Sequence, residues 1–358
     1  MNYPRRQDNL AAQLVSHEVD ALLVTHLPNV RYLTGFTGSA AVLLASAKPV
    51  FFTDGRYREQ AAQQVRGAKV VIPRGSALAA AVKACQSQRL TRLGVEADRM
   101  PLSQFQALRR ELGKGVKIVP LVGVVEGLRA VKDAGEIRLI RQAIQLSSDL
   151  FPALLKALKP GQTELSAAAR LEYLARKAGA EAMSFETIIA AGKRSALPHG
   201  VASPARLPER GFVVLDYGVV TQGYCSDMTR TVHLGRSTAR ERSLYAAVLE
   251  AQLAAIAALR PGATCGQVDE AARRVLRRAG LAKFFTHSTG HGVGLEIHEP
   301  PRLGAKSDAV LEAGMVVTVE PGAYLPGRYG VRIEDMLLVT PNGAEVLTPV
   351  GKALTELL

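Results

Sequence analysis

At 358 residues, with 47% hydrophobic and 22% charged residues, the chain is long enough for two domains with substantial cores, which excludes a disordered or fibrous protein. The net charge of +13 is dispersed: residues 1–128 hold 17 Lys and Arg against 9 Asp and Glu, an excess of +8 that leaves +5 for the rest, with no run of five basic residues. This reads as a solvated basic surface, with no nucleic-acid partner.

Three scattered cysteines, Cys85, Cys225 and Cys265, exclude a disulfide framework and point to a reducing compartment, the cytoplasm. The N-terminal "MNYPRRQDNLAAQLV" lacks the apolar core of a signal peptide. The longest apolar run, "SAAVLLASA", is too short to span a bilayer, so no membrane partner is expected.

In chain order, "DALLVTHLPNVRYLTGFTGSAAVLLASAKPVFFTDGRYREQAAQQV" alternates short β-rich runs with turns and then becomes helical, and "RLGVEADRMPLSQFQALRREL" adds another strand and helix. These predict a compact α/β domain over residues 1–128, with a linker near "VEGLRAVKDAGE" and a second domain over residues 129–358.

The second domain carries an internal repeat. "LKPGQTELSAAARLEYLARKAGA" (158–180) and "LRPGATCGQVDEAARRVLRRAGL" (259–281) share a Leu, a Pro-Gly break, a Thr and a helix ending in Ala-Gly, and each follows an apolar-periodic helix. Downstream, "LPERGFVVLDYG" and "LEAGMVVTVEPG" each give a Gly, a β-branched strand, a carboxylate and a Gly. A second acidic strand follows in each half, "GYCSDMTRTVHL" with Asp227 and "GVRIEDMLLV" with Glu334 and Asp335. Buried acids are costly unless paired or metal-bound. Two related α-α-β-β halves with acids on corresponding strands therefore predict one shared site.

Ahead of the acids of the second half lies "HSTGHGVGLEIHEPP", which puts three of the seven histidines, His287, His291 and His298, within twelve residues. His287 and His291 have the i, i+4 spacing of a helical two-histidine zinc site, but the interleaved glycines predict a loop running into a strand. Gathered together, Asp216, Asp227, His291, Glu320 and Glu334 form a set of four carboxylates and one imidazole. Two divalent cations would neutralise it. The oxygen-rich donors favour Mn²⁺, with Co²⁺ or Zn²⁺ as alternatives, and such a pair suits hydrolysis of an amide or ester.

These segments resemble the peptidase family of methionine aminopeptidase, Xaa-Pro aminopeptidase and prolidase, in which a creatinase-like α/β N-terminal domain precedes a pita-bread catalytic domain, an α+β architecture. "LDYGVVTQGYCSDMTRT" resembles the family's Asp-bearing hairpin, "GHGVGLEIHEPP" its histidine ligand segment, and "TVEPGAYLPGRYGVRIED" the segment with two glutamate ligands. The resemblance implies two metals held by Asp216, Asp227, His291, Glu320 and Glu334. Asp227 and Glu334 would bridge both, and Glu320 would share the proton of the attacking water. It further implies that His199 and His298 hydrogen-bond the substrate and the oxyanion, that His287 is a third active-site histidine, and that Arg332 orients Glu334 or an outer carboxylate. A homodimer is implied as well.

Taken singly, several residues have plainer readings: Asp216 as a turn residue and His287 as a loop histidine, while Tyr224 and Tyr324 read equally as cleft lining or as core tyrosines. His17, His26 and His233 read as surface or packing residues, and Cys225 as packing.

"NVRYLTGF" and "TDGRYREQA" resemble the N-terminal domain of the Xaa-Pro enzymes, which methionine aminopeptidases generally lack. The compact chain resembles short bacterial Xaa-Pro aminopeptidases, whose substrates are peptides with proline at the second position. The alternative is a prolidase restricted to Xaa-Pro dipeptides, for which Arg302 resembles a carboxylate-binding arginine. A non-catalytic binding protein on the same fold is the remaining reading, and it would be expected to have lost metal ligands.

Overall fold

The computed structural model describes all 358 residues, which form two compact units, Met1–Arg129 and Ala130–Leu358. No helix is long and apolar enough to cross a membrane.

The first unit is built on a six-stranded mixed sheet in the order Lys69–Val71, Val50–Phe52, Val42–Ser46, Ala21–Val24, Arg92–Glu96, Lys117–Leu121. Its central strands are buried on both faces, so they read as continuous apolar runs rather than alternating ones. Ala21, Leu23, Leu44, Leu93 and Val95 pack against Ala81, Val82 and Cys85 of the helix Ala77–Ser87 and Leu108 of Leu102–Leu112. Leu43 and Ala45 look the other way, toward Leu10 and Leu14 of the helix Tyr3–Ser16. The segment read as a linker from the sequence is partly helical, over Val124–Ala130.

The second unit repeats itself down to its caps. The helices Ala134–Ala157 and Ala239–Ala258 both begin with a capping box, Asp133 with Glu136 and Thr238 with Glu241. In the Pro-Gly breaks, Gly161 and Gly262 take the same left-handed conformation (φ +79° and +81°), and their amides donate to Leu207 O and Leu311 O. Thr163 and Thr264 then cap the second helices, Glu164–Lys177 and Cys265–Arg278.

Each half adds a sheet. In the first, the order is Glu356–Leu357, Met228–Leu234, Gly211–Tyr217, Ile188–Ala191; in the second, it is Glu299–Leu303, Gly290–Gly292, Val316–Val319, Asp335–Thr340, Gly343–Val346. Each half also has its own apolar core.

Arg230 locks the halves together. Its buried guanidinium donates to the carbonyls of Thr229, Glu334, Val350 and Gly351 and to Asp335 Oδ1 at 2.7 Å, so no N–H is left unused. Gln252 and Lys352 complete the satisfaction of Asp335 at 2.8 and 2.9 Å. A second buried pair, Lys132 with Glu299 at 3.1 Å, ties the first residues of the unit to the strand following His298.

Removing one member of such a pair strands its partner, at a cost of about 3–5 kcal/mol. Arg230→Met is expected to destabilise the protein by that amount, read as a lowered urea midpoint. Lys352→Met, whose ammonium is the more exposed partner of Asp335, should cost markedly less.

Candidate metal centre and cleft

Two hairpins bring the acids together. Asp216 lies near the end of the strand Gly211–Tyr217, opposite Thr229 on Met228–Leu234, so Asp227, two residues before Thr229, faces the same side. The short pair Val219–Thr221 and Tyr224–Cys225 fills the turn between them. In the second half Glu320 follows the strand Val316–Val319, the hairpin Gly322–Leu325 with Tyr329–Arg332 intervenes, and Glu334 precedes Asp335–Thr340. Across the halves, Thr229 Oγ1 donates to Glu334 Oε2 at 2.7 Å, and Glu334 N donates to Thr229 O.

His291 enters on the three-residue strand Gly290–Gly292. A Cβ on Gly290 would lie 2.0 Å from Thr318 O and one on Gly292 2.3 Å from Pro300 O, which explains why glycine flanks the histidine on both sides. His291 Nδ1–H donates to Gly292 O at 3.0 Å, and this fixes the tautomer. The Nε2 lone pair is left facing Asp227 Oδ2 at 3.6 Å and Glu320 Oε1 at 3.5 Å. One donor atom each from Asp227, His291 and Glu334 lies within 4.8 Å of the others.

The charge balance is one-sided. Asp216, Asp227 and Glu334 are buried, and the only cation in contact with the acids is Arg332, whose Nη2 donates to Asp216 Oδ2. Asp216 Oδ1 is buried with no partner. Burial, reinforced by Asp216 and Glu320, holds the Asp227 carboxyl well above its usual range; burial with Asp227, Glu320 and Asp216 does the same to Glu334. Burial pushes Glu320 up to about 8 against the opposing pull of Arg332. His291 moves to about 4, first by burial and then by the neighbouring His298. Acids that resist ionisation, a neutral imidazole with its lone pair directed inward and an orphaned carboxylate oxygen are the donor set that divalent cations complete.

The other residues expected from the sequence line the same cleft of about 800 Å³: His199, His287, His298 and Arg302, with apolar walls from Phe185, Ile188, Pro198 and Ile297. The His298 ring stands edge-on to His291, with centroids 4.4 Å apart. Arg302 is exposed and directly opposite His291 in the strand register.

Arg332 reaches Asp216, not Glu334, and its Nη1 donates to the Tyr324 hydroxyl at 2.7 Å. His287 Nδ1–H donates to Ser288 O, so Nε2 accepts from Tyr324 at 2.9 Å. Burial and then Arg332 keep His287 neutral, near 4. Tyr324 is thereby a buried link between Arg332 and His287, a role sequence reasoning left undecided. Thr229 was missed altogether, although its position two residues after Asp227 put it on the ligand face. Cys225 is buried in an apolar cluster with Tyr224 and Val293. His233 is fully buried, edge-on to Phe212.

Residues 138–341 match metallopeptidase family M24, and residues 6–131 match the creatinase/prolidase N-terminal domain. The solved structure of an Xaa-Pro dipeptidase from Bacillus anthracis superposes with a TM-score of 0.97 at 40% identity, covering 99% of this chain and 100% of that one. An Xaa-Pro dipeptidase from Pyrococcus horikoshii is 36% identical over 94% of this chain and 95% of its own. An X-Pro aminopeptidase structure from Thermotoga maritima gives a TM-score of 0.89 at 36% identity, over 95% and 98% of the two chains.

The raised Glu320 pKa carries a sign. Its ordinary value is 4.5 and its folded value about 8, so the cation-free fold binds the proton more tightly than the unfolded chain does. Its contribution to stability is full below 4.5 and disappears as pH rises through 8. The lowered histidines act oppositely, but only at or below their ordinary value of 6.5. Cation-free protein is therefore expected to lose thermal stability between pH 7 and 9, and saturating Mn²⁺ should abolish that loss, as read by differential scanning fluorimetry in matched buffers.

Proposed function

The chain belongs to metallopeptidase family M24 and is a metallo-exopeptidase, and we propose that it is a prolidase, a two-metal enzyme that hydrolyses Xaa-Pro dipeptides. The observation that carries the hydrolytic reading is the buried cluster of four carboxylates and one neutral imidazole with a single arginine as counter-charge. The length-based expectation of an Xaa-Pro aminopeptidase gives way because the Xaa-Pro dipeptidase from Bacillus anthracis is the better match, at 40% identity and a TM-score of 0.97, than the X-Pro aminopeptidase from Thermotoga maritima, at 36% and 0.89.

Asp216, Asp227, His291, Glu320 and Glu334 would hold two divalent cations, Mn²⁺ by preference among oxygen-seeking metals, with Co²⁺ or Zn²⁺ as alternatives. The cations supply acidity to the attacking water and polarise the scissile carbonyl. Glu320, whose side chain is the most accessible of the four acids at 17%, takes the proton of that water and returns it to the leaving proline nitrogen. That proton is required, because an Xaa-Pro bond is a tertiary amide and its nitrogen leaves as a secondary amine. Partial burial and then His199 lower the His298 imidazole below its usual value. It and His199 face the cleft as hydrogen-bonding groups for the substrate carbonyl and the developing oxyanion.

Arg302 is the element that favours a dipeptidase. It stands opposite His291 in the register, lines the cleft, and makes no ion pair with the chain. Its guanidinium fork suits the free carboxylate of proline immediately beyond the scissile bond.

Restoring Mn²⁺ to metal-stripped protein and comparing Met-Pro with Met-Pro-Gly tests this. Markedly faster cleavage of the dipeptide is expected, and Arg302→Ala should raise its KM on the order of tenfold or more, in keeping with loss of a charged hydrogen bond. Efficient release of methionine from the tripeptide would instead make the enzyme an aminopeptidase.

A further inference from the structure

Two buried acids outside the metal cluster grip the segments that carry the cleft histidines. Glu164, the first residue of the helix Glu164–Lys177, is fully buried. Its carboxylate accepts from Ala191 N at 2.9 Å, Arg194 Nε at 2.9 Å, Ser203 N at 3.1 Å and Ser203 Oγ at 2.7 Å. Arg194 in turn donates to Val201 O at 2.8 Å. Residues 192–202 thus form a loop fastened at both ends to one carboxylate, with His199 between the fastenings.

The second half repeats the arrangement with different residues. Asp269, also buried, accepts from Thr289 N at 3.1 Å, Thr289 Oγ1 at 2.9 Å and Arg273 Nε at 2.6 Å. Arg273 donates to the carbonyls of Phe285 and His287. Each half therefore uses an acid on its second helix, an arginine that clasps segment carbonyls, and a Ser or Thr whose amide and hydroxyl both meet the acid. The acids occupy different turns of their helices, so the halves agree in partners rather than in register.

The first half isolates the consequence. His199 is exposed into the cleft, and its ring has no hydrogen bond to the chain, whereas His287 is also held by Ser288 and Tyr324. Only the backbone of its segment sets the position of the His199 ring. Pro198 O accepts from Arg332 at 2.9 Å, which couples that backbone to the arginine on Asp216.

We propose that Glu164 is a positioning residue for the reaction: its carboxylate fixes the 192–202 segment so that His199 meets the substrate, and Asp269 does the same for His287. The inference rests on the reading of His199 as a substrate-side group. A charged acceptor suits the task because its hydrogen bonds are shorter and stronger than neutral ones, and a displacement of about 1 Å at a reacting group costs on the order of 100-fold in rate.

The test is a double-mutant cycle on the full-length Mn²⁺ enzyme with an Xaa-Pro dipeptide, using Glu164→Gln, His199→Ala and the pair, with Ser203→Ala as a milder break of the same grip. Glu164→Gln is expected to lower kcat roughly 10- to 100-fold with bound metal unchanged, Ser203→Ala to lower it less, and neither to slow the His199→Ala enzyme by more than about twofold. Equal losses in the presence and absence of His199, or loss of bound metal, would overturn the proposal and reduce Glu164 to a support of the fold. Should Glu164→Gln not fold, the Ser203→Ala cycle decides by the same criterion. Wild-type turnover by His199→Ala would overturn the assignment of His199 itself, a result distinct from an intact His199 effect without coupling.

Discussion

Four carboxylates crowded into a buried space, answered by one guanidinium, set the terms for everything around them. Unpaired ions in such surroundings are too costly to persist, so the acids must either keep their protons or acquire positive charge from solution. The elevated pKa values of Asp227, Glu320 and Glu334 express the first outcome, and the inward lone pair of His291 and the orphaned Asp216 Oδ1 prepare the second. Because each half contributes two of the four acids, cation binding and the docking of the halves draw on the same free energy. Arg230, which ties Met228–Leu234 to the segment bearing Glu334 and Asp335, keeps the halves in register before any cation is considered.

Duplication solves the geometric part of this problem. In each half the two acids flank a hairpin, Asp216 and Asp227 around residues 219–225, Glu320 and Glu334 around residues 322–332. A hairpin returns the chain to its starting point, so two acids distant by more than ten residues in sequence arrive side by side. Divergence then supplies what symmetry cannot. The second half contributes the single imidazole that faces the acids, made possible by two glycines where no Cβ fits, and its hairpin carries the Tyr324–Arg332 link that reaches back to Asp216.

The repeat, the acid positions and the clustered histidines were readable because they are local patterns: a strand, an acid and a glycine, recurring at matching places. What the sequence concealed were contacts between distant residues. For Arg332 the sequence leaves Glu334 or an outer carboxylate open, because alternating side chains along an extended segment say nothing about a partner on the other half, and the guanidinium reaches Asp216. Glu164 and Asp269 look like ordinary first-turn and surface-face helix acids in the sequence, and only the return of residues 191–203 and 285–289 over those helices buries them. The helix Val124–Ala130 was hidden in a stretch too short and too glycine-marked to show a period.

In the proposed prolidase, the preference for dipeptides turns on what one exposed arginine can enforce. Directly paired strand residues keep their side chains on one face, with Cβ atoms about 5 Å apart, so Arg302 projects its cation from the same strand face as His291. In the proposed reaction a proline carboxylate next to the scissile nitrogen would offer that cation a partner, whereas a longer peptide presents a neutral carbonyl there and forgoes the ion pair. Since Arg302 is solvated, the longer peptide strands no buried charge, and the discrimination it provides is graded rather than absolute. Strict exclusion of longer substrates would require closure of the cleft beyond proline. A single arginine on an open strand instead confers a preference, one that added salt weakens because the charge is screened.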